Sequence, residues 1–329
     1  MSAWTRAGRW VRREVDWFVW VFVIWGLSQS LQHAQASSFE VVEADQFEGG
    51  SIDPLQSDQL KQQVLSFTFP LLESPDGLTP TVALQYEPSR TNGTVGAGWS
   101  LTPQSTITTH SRLGGAPEWD VNDIFKVDGV RLKPTGSGHY VPLYVNGWVY
   151  ERQNNQEAWV ATYQGQQKVY GHLDPGTACG QPGWSTRPGW LRGKETCNIV
   201  QWLQMRQTDD FGNAIEYGYT RYEDRPYLTE IRYNIHGADY FKVELAYEDR
   251  PDVRDDYRTE RLRPISKRLA SVRVSTHRAG IDYAVYHYDL EYEASGVGVQ
   301  SLLTSIVQQG LDDAGEPHRK YCAVAALHV

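Results

Sequence analysis

From Val64 onward, short runs of apolar residues alternating with polar ones are cut at nearly regular intervals by turn dipeptides. Strict alternation places successive side chains on opposite faces of an extended strand, so each run reads as a half-buried strand. Asp123–Val127 and Val130–Lys133 flank Asp128-Gly129, and Tyr140–Val145 and Trp148–Tyr150 flank Asn146-Gly147. Asp-Gly and Asn-Gly accept the positive φ angles of a type I′ turn, so both segments are predicted hairpins. Trp159–Tyr163 and Lys168–Tyr170 should pair across Gln164-Gly165, and Trp202–Thr208 and Ala214–Tyr219 across Asp209–Asn213.

The last third repeats a longer unit. Leu228–Tyr233 turns at His236-Gly237 into Tyr240–Tyr247. Leu269–Val272 opens the next unit, which turns at Arg278–Gly280 into Tyr283–Tyr292. Leu302–Ile306 opens a third, turning at Asp312–Gly315. Repetition of one hairpin suggests stacked strands of a continuous sheet. Within Tyr283–Tyr292, the face carrying Ala284, Tyr286, Tyr288, Leu290 and Tyr292 is the expected buried one. No long amphipathic helix stands out. The predicted fold class is all-β, a large curved antiparallel sheet of successive hairpins. Its last strand, near Tyr321–Val324, is expected to present an exposed edge.

The N-terminus departs from this pattern. Arg6, Arg9, Arg12 and Arg13 precede the uncharged apolar run Trp17–Leu27, and Ala34-Gln35-Ala36 follows. This is the layout of a secretory signal peptide cut after Ala36. The apolar run falls well short of the roughly 20 residues that span a bilayer. Residues 37–62 are polar and read as a linker, and residues 63–329 form the β-rich domain. The whole chain carries a net charge of -9, which argues against nucleic acid as a partner. Tyr and Trp, at 19 and 12 residues, outnumber the 9 Phe, a bias that suits pleated, half-buried surfaces.

Export would place three cysteines in an oxidising compartment. Cys179 and Cys197 are a candidate structural disulfide, and Cys322 is left over. A metal site is the rival reading, but neither a Cys-x-x-Cys pair nor clustered His accompanies them. Trp184 and Trp190, between the two cysteines, could stack on a sugar or dock a partner, or belong to a core.

Other chemistry is weakly signalled. Gly93-x-x-Gly96-x-Gly98 runs opposite to the dinucleotide fingerprint, and its expected role is a tight backbone turn beside Trp99. Asp120, Asn122, Asp123 and Asp128 fail the spacing of a calcium loop. Asp249, Asp252, Asp255 and Asp256 interleave with Arg250, Arg254 and Arg258, which reads as a solvated, self-neutralising loop. The nine histidines are scattered, with no His-Glu-x-x-His and no Gly-x-Ser-x-Gly. No catalytic residue, cofactor or metal is assigned.

Several of these segments together resemble a known family. They are Phe67–Pro70, Pro80–Tyr86, and Asn92-Gly93 followed by Gly96-Ala97-Gly98-Trp99-Ser100-Leu101. Further on come Val169–Gly171, Trp202-Leu203, Asp209-Asp210-Phe211-Gly212-Asn213 and Tyr247–Asp252. In order and spacing they resemble the SpvB-type N-terminal domain of insecticidal toxin complex B components and related Rhs (YD-repeat) proteins. The resemblance implies a non-catalytic part of a hollow β-rich shell. Its implied partner is a polypeptide, either a toxin C component or an Rhs-type repeat shell. It further implies that this chain is truncated at its C-terminal end.

A secreted carbohydrate- or surface-binding module is the alternative reading. An ADP-ribosyltransferase or hydrolase is a more distant one. Arg273, Ser275-Thr276 and Glu291-Tyr292-Glu293 only partly match the transferase pattern, and alternation puts both glutamates on a solvent face. Mass measurement of the exported protein should show a chain that begins at Ser37; a chain retaining Trp17–Leu27 would contradict the leader reading.

Overall fold

The computed structural model describes residues 42–43, 65–88, 90–114, 117, 122–144, 146–153, 158–171, 199–223, 225–256, 263–295, 300–311 and 317–324. The leader, most of the polar linker, Cys179, Trp184, Trp190 and Cys197 lie outside the described residues. All of the described residues fall within one unit, residues 41–329.

Among the described residues every regular element is a strand. In order they are β1 (Val42–Glu43), β2 (Leu65–Thr68), β3 (Ala83–Tyr86), β4 (Trp99–Thr102), β5 (Thr106–Ser111), β6 (Asp123–Val127) and β7 (Val130–Gly136). Then come β8 (His139–Pro142), β9 (Val149–Gln153), β10 (Ala158–Tyr163), β11 (Gln166–Gly171), β12 (Gln201–Thr208) and β13 (Ala214–Tyr222). The chain continues through β14 (Arg225–His236), β15 (Asp239–Arg254), β16 (Ile265–Arg278), β17 (Ile281–Ala294), β18 (Ser301–Leu311) and β19 (Pro317–Val324). Neighbours from β5 to β19 pair antiparallel in sequence order. The Asp128-Gly129 and Gln164-Gly165 turns have positive φ throughout, as their hairpins require. The hairpin at Asn146-Gly147 is looser than the dipeptide suggested. β8 ends at Pro142, and β8 pairs with β9 through His139↔Glu151 and Tyr140↔Tyr150.

The predicted curved sheet also closes on itself. β12 pairs with β11 along one edge and divides its other edge. Gln201, Trp202 and Leu203 pair with Thr108, Ile107 and Thr106 of β5. Arg206, Gln207 and Thr208 pair with Glu216, Ile215 and Ala214 of β13. The first half thus closes an eight-stranded barrel, β5 to β12, and the second half starts the open sheet, β13 to β19. The pairing of β12 with β11 skips Met205, a bulge set between the two halves. Bulges bend a strand and raise its twist, which is what passage from barrel to open sheet requires.

An eight-stranded barrel has an interior that side chains can just fill. Ile107, Val127, Leu132, Tyr150, Trp159, Tyr170 and Trp202 fill this one, joined by Phe125 and Tyr140. Trp159 and Trp202 meet edge to face at 5.9 Å, and Phe125 meets Trp159 at 5.0 Å. The open sheet buries its apolar face under a separate three-stranded sheet, β2-β3-β4. Phe67, Phe69, Leu84, Trp99 and Leu101 pack there against Tyr217, Ile231, Val243, Val272, Tyr288 and Ile306. The tyrosine-rich composition has a local reason. Tyr233 donates its hydroxyl to the Leu72 carbonyl at 2.8 Å, Tyr292 to that of Leu269 at 2.7 Å, and Tyr247 to that of Leu228 at 2.9 Å. Each ring packs into or against the core while its hydroxyl finds a carbonyl acceptor, which a buried phenol requires.

On β17, Tyr288 and Leu290 are buried while Glu291 and Glu293 are exposed, as alternation required. The exposed edge expected at Tyr321–Val324 is corrected in part: Val42 and Glu43, inside the polar segment, pair with Cys322 and Tyr321. An unpaired edge offers free backbone groups, and this short strand takes up some of them. Truncation of Trp202 should destabilise the fold by about 3–5 kcal/mol in urea unfolding. Thr162→Ala, on the outside of the same barrel, should cost under about 0.5 kcal/mol.

Candidate functional site

The motif from Asn92 to Trp99 forms the connection into β4 and is fastened to the open sheet from below. Its glycines are required by contact as well as by conformation. Gly96 has φ +91°, and a Cβ there would lie 2.5 Å from the Ser301 carbonyl oxygen. Gly98 has φ +77°, and a Cβ there would lie 2.3 Å from the Tyr86 ring. The loop therefore lies directly against β18. Ala97 donates its N–H to the Ser301 carbonyl at 2.9 Å, and Leu269 donates to the Thr94 carbonyl at 2.8 Å.

Beneath the loop lies a buried ion pair. The Arg250 side chain is 0% exposed and that of Asp252 is 4% exposed. Arg250 donates Nε to Asp252 Oδ1 and Nη2 to Oδ2, both at 2.9 Å, and Nη1 to the Gly93 carbonyl at 2.7 Å. Asn92 accepts from Arg250 through Oδ1 and donates from Nδ2 to Asp252 at 2.6 Å. A side-chain amide carries an acceptor and a donor on separate atoms and so meets both partners at once. Ser301 donates its N–H and its hydroxyl to Asp252 at 2.6 and 2.7 Å, and Arg268 donates to that hydroxyl at 2.9 Å. The solvated loop expected around Arg250 and Asp252 is thus corrected. Burial makes an unpaired charge costly, and the two side chains satisfy each other there. Burial by itself would raise the Asp252 carboxyl, but hydrogen bonds from Arg250, Ser301 and Asn92 outweigh it and hold the carboxyl well below the usual carboxylate range.

The second motif, Asp210, Gly212 and Asn213, makes the turn between β12 and β13. Its anchor is Asp209, the first residue of the motif segment. Asp209 accepts the Phe211 N–H at 3.0 Å, the Asn213 N–H at 2.8 Å and Asn213 Nδ2 at 2.9 Å. Asn213 also donates to the Asp76 carbonyl at 3.3 Å, tying the turn to the β2–β3 connection. Asp210 abuts Gly165 of the neighbouring hairpin turn. Both motifs are therefore joints between layers, and the structure does not bring them to one cleft.

The polar face of the open sheet carries charges in register. Arg206, Glu216, Arg232 and Lys242 form one row across β12 to β15. Glu230, Glu244, Arg273, His287 and Gln309 form the next across β14 to β18. Arg232 pairs with Glu230 at 2.6 Å, and Lys242 pairs with Glu244 at 3.1 Å and with Asp282. Burial favours neutral Lys242, yet Asp282 and Glu244 together raise its pKa. His277 bonds Asp282 at 2.5 Å and stacks on Tyr240 at 4.5 Å.

The transferase-like residues do not converge. Arg273 faces His287, four positions from Glu291, and Glu291 accepts from the Ser305 hydroxyl at 2.6 Å. Among the described residues no group of three His, Cys, Asp or Glu could hold a metal ion. Two clefts among them measure about 200 and 270 Å³, below the usual range for small-molecule pockets. No described helix is long and apolar enough to cross a membrane.

No family model and no curated protein matches the chain. Solved structures do. The N-terminal domain of effector protein SpvB from Salmonella typhimurium strain LT2 aligns with a TM-score of 0.60 and 17% identity, over 76% of this chain and 100% of that domain. A TcdB2-TccC3-Cdc42 structure aligns with a TM-score of 0.60 and 17% identity, over 79% of this chain and 15% of that one. The Photorhabdus luminescens Tc holotoxin pore aligns with a TM-score of 0.59 and 16% identity, over 78% of this chain. The chain spans about 15% of the length of the toxin-complex chains it matches. At these identities the likeness is one of fold: the chain has the fold of the SpvB N-terminal domain and of the corresponding stretch of the toxin-complex chains.

Replacing Arg250 by Ala strands the Asp252 carboxylate and should cost about 3–5 kcal/mol in urea unfolding. The unfolded chain binds a proton at Asp252 at higher pH than the folded one does. The stability contributed by Asp252 is therefore fully present above about pH 4 and is lost as the pH falls below it. Asp252→Asn should be less stable at neutral pH and show a flatter acid limb; an unchanged acid limb would contradict the assignment.

Proposed function

We propose that the chain is an exported, non-catalytic scaffold domain that docks and helps to enclose a polypeptide partner in a toxin-complex-like assembly. The observation that carries this reading is the fold likeness. One match is the N-terminal domain of an effector protein, matched over its whole solved length, and others are stretches of chains solved together as TcdB2-TccC3. The build of the molecule supports it. Its two motif joints, the Arg250–Asp252 pair and the Asp209 turn, hold layers together through paired polar groups. The charge rows on the open sheet offer a broad face of mixed sign, a kind of surface that selects a partner by complementarity more than by apolar area. The N-terminal leader supports export.

A photo-crosslinking residue placed at Arg273 or Thr220 of the full chain, expressed in its producing cells, tests this directly. The expected product is a discrete crosslink to one second polypeptide, absent when the probe replaces Leu84 in the core. A chain recovered without crosslinks and as a monomer would overturn the scaffold reading.

A further inference from the structure

One end of the barrel carries the Asp128-Gly129 turn from β6 into β7, the passage from β8 to β9, and the turn from β10 into β11. A cleft of about 270 Å³ opens there. Val127, Val130, Pro142 and Tyr150 line it, one residue from each of β6 to β9. Val127 pairs with Val130, and Pro142 pairs with the core residue Leu132, so the cleft lies over the inward face of the strands. Asp128, Tyr144 and Asn146 complete the lining, and all three are exposed.

Asp128 is the charged residue of this lining, and its carboxylate is fixed in place. Oδ1 accepts the Thr106 N–H at 2.7 Å and Oδ2 the Ser105 hydroxyl at 2.8 Å. Each oxygen keeps a second lone pair. Among the described residues no ion pair engages it. Lys168 is near enough to feel its charge, but the ammonium stands over the Trp148 ring at 4.8 Å. The turn does not require the charge. Asp128 has φ +48°, which Asn adopts as well, and an amide oxygen would also accept from Thr106.

Beside the carboxylate, Tyr144 is 77% exposed and Leu143 57%. Leu143 donates its N–H to the Arg131 carbonyl at 2.8 Å, and Asn146 accepts the Trp148 N–H at 3.2 Å, which holds the backbone on either side of the ring. An apolar lining, an exposed aromatic ring and an unpaired anion suit an occupant with an apolar stem and a cationic head. Lys and Arg have that build, with methylenes that cover apolar surface and a head that meets an anion or a ring face. The net charge of -9 favours a cationic partner.

We propose that this cleft receives a lysine or arginine side chain of a polypeptide partner, with its stem along Val127, Val130 and Pro142 beside Tyr144 and its head at Asp128. The polypeptide as the source of the cation rests on the scaffold reading. The crosslinking that tests that reading does not probe the cleft, so the two fail separately.

The test is ¹⁵N NMR of the full chain titrated with short capped peptides, otherwise neutral, that carry Lys, norleucine or Glu at one central position. The Asp128, Gly129 and Asn146 amide resonances should shift and saturate with the Lys peptide, at an affinity about fivefold or more above that of norleucine. Asp128→Asn should bring the Lys peptide down to the norleucine level. Tyr144→Ala should weaken it about threefold or more, and it carries the test if Asp128→Asn fails to fold. Norleucine or Glu binding as tightly as Lys would overturn the cation. Unchanged affinity in either variant, or shifts that never saturate, would overturn the site. Saturation of the same resonances by methyl glucoside but not by the Lys peptide would overturn it in favour of a sugar.

Discussion

The architecture depends on one strand with two neighbours on the same edge. A strand edge pairs with one partner at each point along its length, so β12 can serve both β5 and β13 only by dividing its eight residues between them. The bulge at Met205 sits at the division and bends the strand there. Without the β5 pairing the first eight strands of the series would form a flat continuation of the sheet. Trp159, Tyr170 and Trp202 would then have no enclosed interior to fill. Without the β13 pairing the barrel would have no mechanical link to the long hairpins.

The small sheet β2-β3-β4 faces a related problem. It must cover the apolar face of the open sheet, yet its strands have only four residues each. Apolar contact holds it without fixing its position. Directional contacts do that, among them the buried Arg250–Asp252–Asn92–Ser301 network and the Asp209–Asn213 turn reaching Asp76. A buried ion pair of this kind adds little net stability over an apolar replacement, but it tolerates few other arrangements. Register between layers is what it secures. The glycines at 96 and 98 belong to the same device, because a Cβ at either would push the loop away from β18 or the Tyr86 ring.

This division of labour runs through the whole fold. The chemistry-bearing residues that look reactive in the sequence are mostly committed to joints. The polar face of the open sheet is a surface with charge to offer. In the barrel, Arg152 lies over three rings. On the sheet, cations and anions pair both along and across strands at 2.6–3.8 Å. The solved structures of the same fold include both a domain solved by itself and stretches of much larger chains. A domain held by internal joints is suited to either context.

Local features were legible along the chain. Hairpins at Asp128-Gly129, Gln164-Gly165 and His236-Gly237, and the buried face of β17, follow from two-residue periodicity and from turn residues that accept positive φ. Those rules act between neighbours, so composition and spacing carry them. The closure of β5 on β12 joins Ile107 to Trp202, and Arg250 meets Gly93 across 157 residues. A carboxylate and a guanidinium two residues apart read as a solvated loop until the loop that buries them is in place. Whether a charge is solvated, and which strand edge finds which partner, is set by what arrives from far along the chain. Only the tertiary structure decides those, because desolvation and edge pairing are properties of the packed neighbours and not of the residue itself.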